Sequence, residues 1–327
     1  MTNSLTDAAV KVAIEALDSE NATPIEKIEM LLEMATRLQH KPSSGHPLNQ
    51  AILLYDHAME QCDNAYPLLK ARALAGKATV LRSLPEEGPN RLLEAKELYE
   101  AALPVLTQHG SPEERAETQM NLGLVMQSLV PYHRAQLADC IHLYQQALDV
   151  FTGKRYPQEY AILQNNIAIA YLSMTSSTGR DDLKQAIAVQ TFEQALQSIT
   201  LIDHPSEYAM LQNNLGNALQ YLPSTHPVDN NLRALAAYDE ALKVRTAQDT
   251  PLAYAHTLAN RANVLVNLPD DLENPEQGNS KHLEQAKAHY QEVEGIFMTY
   301  GQISQAETVR QAREALLSLP TPSEAVG

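Results

Sequence analysis

The 327-residue chain is predicted to fold as an all-α solenoid of about six helical hairpins closed by a C-terminal helix. Three observations lead there. The apolar material is rich in Ala and Leu, with three Phe and no Trp, which favours helices over strands. A nine-residue pattern built around an aromatic recurs six times. A second pattern, a Pro followed eleven residues later by Gly or Ala, recurs between the copies of the first. A pair of amphipathic helices cannot bury its apolar faces alone, but stacked pairs can.

Residues 1–22 come before the first recognisable repeat. The apolar positions between Leu5 and Leu17 fit either a front cap or a loose segment. No basic stretch leads into an apolar core there, so no signal peptide is expected, and no window reaches the roughly 18 apolar residues of a membrane span.

The repeat array is expected over residues 23–300. Its first-helix pattern reads PEERAETQMNLGLVM from Pro112, PQEYAILQNNIAIAY from Pro157, PSEYAMLQNNLGNAL from Pro205 and PLAYAHTLANRANVL from Pro251. Pro suits a first helical turn, where its missing N–H would be unpaired anyway. Gly123, Ala168, Gly216 and Ala262 stand eleven residues on. A mid-helix Gly costs about 1 kcal/mol relative to Ala, so its recurrence predicts a close approach by another helix. An earlier copy, PLLKARALAGKATVL from Pro67, reads as two residues shorter, with Gly76 as the small residue.

The second-helix pattern is AILLYDHAM from Ala51, AKELYEAAL from Ala95, CIHLYQQAL from Cys140, AVQTFEQAL from Ala188, ALAAYDEAL from Ala234 and AKAHYQEVE from Ala286. Small residue, aromatic and small residue at i, i+4 and i+7 occupy one face of a helix. The aromatics Tyr55, Tyr99, Tyr144, Phe192, Tyr238 and Tyr290 are separated by 44, 45, 48, 46 and 52 residues. Cys140 stands where the sister copies have Ala, which predicts a small, buried, inert thiol. Pro, Gly, Asn and Asp cluster after Leu84, Met174, Leu222 and Leu268 and predict surface loops inside the hairpins.

Residues 301–319 are expected to form the capping helix, with Ile303, Ala306, Val309, Ala312, Leu316 and Leu317 as its apolar stripe. Residues 320–327 read as a frayed tail.

The two helical patterns resemble the tetratricopeptide repeat, with a Leu-Gly-x-x-Tyr-type first helix and an Ala-x-x-x-Phe-x-x-Ala second helix. Leu122-Gly123, Ile167-Ala168 and Leu215-Gly216 supply the former, and Ala234, Tyr238 and Ala241 with their counterparts the latter. The units are longer than the usual 34 or so residues. The Gln-Asn-Asn-Leu-Gly form is similar to bacterial multi-repeat proteins often fused to a peptidase domain, for which this chain has no room. The resemblance implies a right-handed superhelix whose first helices line a concave groove.

Asn121, Asn166, Asn214 and Asn260 lie two residues before the recurring small residue. Asn165 and Asn213 precede two of them, and Asn217 and Asn263 follow the small residue. By resemblance to asparagine ladders in related repeat families, these eight residues are candidates to grip the backbone of an extended peptide, since an amide both donates and accepts. Alternatively they bond to neighbouring repeats and hold their spacing. Four net hydrogen bonds contribute about 2–6 kcal/mol, whereas micromolar affinity needs about 8. Met120, Ile162, Met210, Tyr171 and Tyr221 are candidates to supply apolar contacts. Lys70, Arg72, Lys77 and Arg261 form no repeated carboxylate clamp.

The net charge of -16 argues against nucleic acid and anionic membranes, and favours a neutral or basic protein partner. Two cysteines make no disulfide framework. The histidines form no ligand set; His282 and His289, seven apart, read as surface residues. No nucleophile elbow or phosphate-binding loop is present, so neither an enzyme nor a cofactor is expected. The expected role is a cytoplasmic binding scaffold or assembly factor. A peptide-sensing regulator and a self-associating module are the alternatives.

Overall fold

The computed structural model describes residues 22–40, 45–62, 65–84, 88–174, 181–222 and 227–317. Residues 1–21, the loops after Met174 and Leu222 for most of their length, and the tail lie outside them. The described residues form thirteen α-helices and no strand.

Two compact units divide at Thr152 and Gly153. The first holds α1 (Pro24–His40), α2 (Gly45–Gln61), α3 (Pro67–Ser83), α4 (Asn90–His109), α5 (Pro112–Leu129) and α6 (Leu137–Leu148). The second holds α7 (Pro157–Ser173), α8 (Asp181–Leu196), α9 (Pro205–Gln220), α10 (Pro227–Leu242), α11 (Pro251–Leu265), α12 (Ser280–Thr299) and α13 (Ile303–Leu317). Within each unit consecutive helices pair as hairpins, and each hairpin packs on the next. The first helices of successive hairpins also touch: α1 with α3, α3 with α5, α7 with α9 and α9 with α11. Second helices make at most marginal contact with one another. Each unit is therefore tightest along its first-helix edge.

The helix starts follow the sequence. Pro occupies the first turn of α3, α5, α7, α9 and α11. Ser111 caps α5 in a capping box with Glu114, which satisfies two otherwise unpaired N–H groups. The loop from Pro269 to Ser280, expected only as a surface excursion, is held at its end. The Asp270 carboxylate accepts from the Lys281 and His282 amides at 2.8 and 2.9 Å, at the start of α12.

The recurring small residue meets the recurring aromatic of its own hairpin. A Cβ on Gly123 would lie 2.5 Å from the Tyr144 ring, and one on Gly216 would lie 2.6 Å from the Tyr238 ring. The aromatics are buried. Beside four of them, Tyr55, Tyr99, Phe192 and Tyr238, the residues four places before and three after are both buried Ala. Each tyrosine hydroxyl then needs a partner, because an unpaired buried polar group costs about 1–3 kcal/mol. Tyr238 donates to Asn217 Oδ1 at 2.7 Å, Tyr290 to Asn263 Oδ1 at 2.5 Å and Tyr144 to Gln127 Oε1 at 2.8 Å. The Tyr99 hydroxyl pairs with Thr79 at 2.7 Å. Where the aromatic is Phe192, the position matching Asn217 is Ile169, which packs on the same apolar cluster. Polarity is thus matched across the hairpin.

Tyr238→Phe alone should cost about 1 kcal/mol by stranding Asn217 Oδ1. Adding Asn217→Ile, which reproduces the Phe192 pairing, should recover most of that loss. Urea denaturation of the two single variants and the double variant measures the coupling, and additive losses would show that the pair does not interact.

One register reading changes. Counted from Pro67, Ala78 is the eleventh residue and is fully buried, so α3 is not short. Gly76 is instead the ninth, the position of Asn121, Asn166, Asn214 and Asn260 in the sister helices. The ring of Tyr55, from the preceding hairpin, fills the space a side chain at Gly76 would need: a Cβ there would lie 2.4 Å from it.

The last helix packs on α12 through Ala306, Val309, Ala312 and Leu316. Ile303 and Leu317, at its two ends, are exposed rather than part of the stripe.

Candidate functional site

The asparagines of the second unit bond to one another in one direction. Thr257 Oγ1 lies 3.1 Å from Asn213 Oδ1. Asn213 donates to Asn214 at 3.0 Å, Asn214 to Asn165 at 2.7 Å and Asn165 to Asn166 at 3.3 Å. The chain crosses from α11 to α9 and from α9 to α7, so the amides tie first helices together. Asn260 reaches Asn213 only at 3.5 Å. At the upstream end Arg245 donates to Thr257 Oγ1 at 2.8 Å. Sister hairpins bury Cys62, Leu106, Phe151, Ile199 and Phe297 at the position of Arg245. Burial lowers the pKa of its guanidinium, which has no carboxylate partner among the described residues. At the downstream end, Asn166 Nδ2 is buried with no partner among the described residues. Hydrogen bonds in such a chain polarise one another, which sharpens the terminal N–H as a donor.

The eight predicted amides therefore divide. Asn165, Asn213 and Asn214 are occupied within the chain, and Asn217 and Asn263 use their carbonyl oxygens on tyrosines. Asn166 has unused N–H groups, Asn260 is weakly held, and Asn121 makes no hydrogen bond to any described residue although only 7% exposed. Parallel, outward-pointing amides were the expectation; the structure has most of them turned to each other or to a tyrosine. The reason is that adjacent Asn residues on touching helices reach each other before they reach solvent.

In the first unit the same face is open. A cavity of about 490 Å³ lies between α1, α3 and α5, within the usual range for binding pockets. Gly76 and the Tyr55 ring packed on it form part of its wall. Its polar lining includes the hydroxyls of Tyr55 and Tyr99, the Asn121 amide, and the carboxylates of Glu33, Glu114 and Glu117. Leu32, Ala75 and Leu106 give it apolar wall. Among the described lining residues Arg72 is the cation, and it is already engaged, with Nε 2.6 Å from Glu114 Oε1. Glu114 also accepts from the Ser111 amide at 2.8 Å. Burial alone would raise the pKa of the Glu114 carboxyl, but the hydrogen bonds from Arg72 and Ser111 outweigh it and hold the group below the ordinary range. Burial raises the Tyr99 hydroxyl to about 12 and shifts Tyr55 upward, with the charge of Glu117 adding to both.

No protein-family model matches the chain, and no curated protein matches it. Solved structures do. The apo form of the quorum sensor NprR from B. thuringiensis superposes with a TM-score of 0.57 at 15% identity, covering 96% of this chain and 95% of that one. The two chains share their fold. BtubC from P. vanneervenii (TM-score 0.46, 19% identity, 90% and 94% covered) is more distant. The TPR2AB domain of yeast Sti1, solved in complex with pHSP90 (TM-score 0.30, 12% identity, 90% and 99% covered), is more distant still. At these identities the likeness is one of fold.

The other predicted positions are now placed. Met120, Ile162, Met210 and Tyr171 are half-buried, and Tyr221 is exposed. Lys70 is exposed. Lys77 pairs with Asp56 at 2.8 Å, and Arg261 with Asp239 at 2.7 Å. His282 turns to the Leu268 carbonyl and His289 to Arg261, so the two do not meet. Cys140 is fully buried, and burial, with Asp139 beside it, pushes its thiol up to about 11. It stays protonated and unreactive at neutral pH. Among the described residues no helix is long and apolar enough to cross a membrane, and no group of His, Cys, Asp and Glu could hold a metal.

The cavity has no counterpart in the sequence reading. Matching small residue to small residue hides it; counting residues from Pro67 places Gly76 in the asparagine register, where α3 carries no amide.

Proposed function

We propose that the protein is a binding scaffold that captures an extended polypeptide segment on a first-helix face, with the cavity between α1, α3 and α5 as its main seat. The observation that carries this reading is that the face is left open there and lined with donors and acceptors, whereas the second unit spends its amides on itself. On the cavity wall of the first unit, Asn121 has hydrogen-bonding capacity left for a peptide backbone. In the second unit, taken by itself, Asn166 keeps such capacity and Asn260 is released at little cost. The acidic charge of -16 fits a neutral or basic partner.

The test is panning a phage-displayed library of random twelve-residue peptides on the full chain, followed by photo-crosslinking of the peptides that enrich. Cross-links at α3 and α5 near Gly76 and Asn121 are expected. Cross-links confined to the second helices, or no enrichment at all, would contradict the reading.

NprR is described as a quorum sensor, and the shared fold raises a second reading in which the captured segment is a short diffusible peptide that changes the shape of the array. Small-angle scattering with and without a selected peptide separates the two. A sensor changes its radius of gyration on binding, and a scaffold keeps it.

A further inference from the structure

The cavity of the first unit also shows what kind of side chain it takes. We infer that it seats the cationic side chain of a Lys or Arg in the bound polypeptide, with the ammonium or guanidinium between Glu33 and Glu117 and the aliphatic stem along Leu32 and Ala75. This rests on the proposed function and names the chemistry of its partner.

Four observations converge. The described lining carries three carboxylates against one guanidinium, and that guanidinium already belongs to Glu114. Glu114 is further held by the helix cap it helps to form, so Glu33 and Glu117 are the lining carboxylates outside the cap. Glu33 is bridged by Arg37, on its own helix, in an exposed pair at 2.5 Å. Such pairs are worth about 0–1 kcal/mol and exchange readily for a better-placed cation. Second, the field of Glu117 reaches the cavity floor, since it raises the pKa of both Tyr55 and Tyr99. Third, Asn121 borders the cavity, is only 7% exposed, and makes no hydrogen bond to any described residue. An amide that spends neither its donors nor its acceptor inside the protein is open to a backbone amide of the guest beside its charged residue. Fourth, an apolar wall leading to an acidic rim suits a long side chain whose stem is apolar and whose head is charged. A metal ion fits poorly, because no group of three ligating side chains comes together among the described residues.

The test uses the full chain and the peptides recovered from the random library. The consensus peptide is synthesised with a fluorescein label, and so is a copy in which its basic residue is norleucine. Both are titrated by fluorescence anisotropy into wild type, Glu33→Gln/Glu117→Gln and Asn121→Ala. The consensus is expected to hold one fixed Lys or Arg. Its affinity should fall at least about tenfold in the double carboxamide variant and about as much with norleucine, and it should weaken as salt rises. Asn121→Ala should bind more weakly while its thermal midpoint stays at the wild-type value. A consensus with no fixed basic residue, or unchanged affinity in the Glu33→Gln/Glu117→Gln variant, would overturn the cation seat and leave peptide capture standing. No enriched peptide at all would overturn both. Both glutamates are exposed in the free protein, so circular dichroism of the double variant should match wild type, and a loss of binding then reports on the site.

Discussion

Replacing Asn165 with alanine should destabilise the second unit by about 2–4 kcal/mol. Asn165 is 4% exposed and stands in the middle of the amide chain, accepting from Asn214 at 2.7 Å and donating to Asn166 at 3.3 Å. Its removal leaves the buried Asn166 Oδ1 and the half-buried Asn214 Nδ2 without those partners, and each such group costs about 1–3 kcal/mol. The Asn214 bond spans α7 and α9, so the loss falls on the contact between hairpins rather than within one. Stability in a repeat array is close to a sum of hairpin terms and neighbour terms. The α7–α8 hairpin should therefore uncouple from α9–α10 before either unfolds. Native-state hydrogen exchange reads this as earlier exchange of α7 amides with little change in α12. Uniform loss of protection over the whole unit would mean that the amide chain is not what couples those hairpins.

Tyr238→Ala should have the larger effect, about 3–5 kcal/mol. The ring is fully buried, packs against Gly216, and anchors its hydroxyl on Asn217. Truncation opens a cavity between α9 and α10 and strands the Asn217 carbonyl oxygen. The partner substitution distinguishes this contact from generic core loss. In the wild type, Gly216→Ala forces a methyl group to within 2.6 Å of a ring that is held at both ends, and overpacking of that kind costs about 1–3 kcal/mol. The helical preference of Ala over Gly, about 1 kcal/mol, offsets only part of it. In a Tyr238→Leu background the clash is gone and the same Gly216→Ala change should be neutral or stabilising. Urea midpoints of the four proteins give the sign directly. A Gly216→Ala penalty that persists unchanged in the Tyr238→Leu background would place the constraint elsewhere.

The hairpin architecture is legible in the sequence because it repeats. A Pro, a small residue eleven places later and an aromatic on the next helix recur often enough that chance is excluded, and each has a steric reason. The alanine four residues after each Pro (Ala71, Ala116, Ala161, Ala209 and Ala255) is as regular and is buried, yet it carries little signal because Ala is unremarkable in any helix. The direction of the asparagines is not legible. Asn165 and Asn166 are consecutive, so their side chains leave the helix about 100° apart, and which one meets the neighbouring hairpin depends on interhelix distance. Sequence periodicity does not carry that distance. Gly76 misleads for a related reason: a glycine in a repeat looks like the packing glycine until its place is counted from the helix start.

The account turns on a contrast between two residues of one type at one register. Asn121 and Asn214 each lie nine residues after the Pro that opens their helix. Asn214 is bonded on both sides, and Asn121 borders the cavity without a hydrogen bond to any described residue. The direct measurement is the urea midpoint of Asn121→Ala beside that of Asn214→Ala in the full chain. Asn214→Ala should lose about 2–3 kcal/mol and Asn121→Ala nothing measurable. Equal losses would mean that Asn121 is a structural tie as well, and that the open face of the first unit is not reserved for a guest.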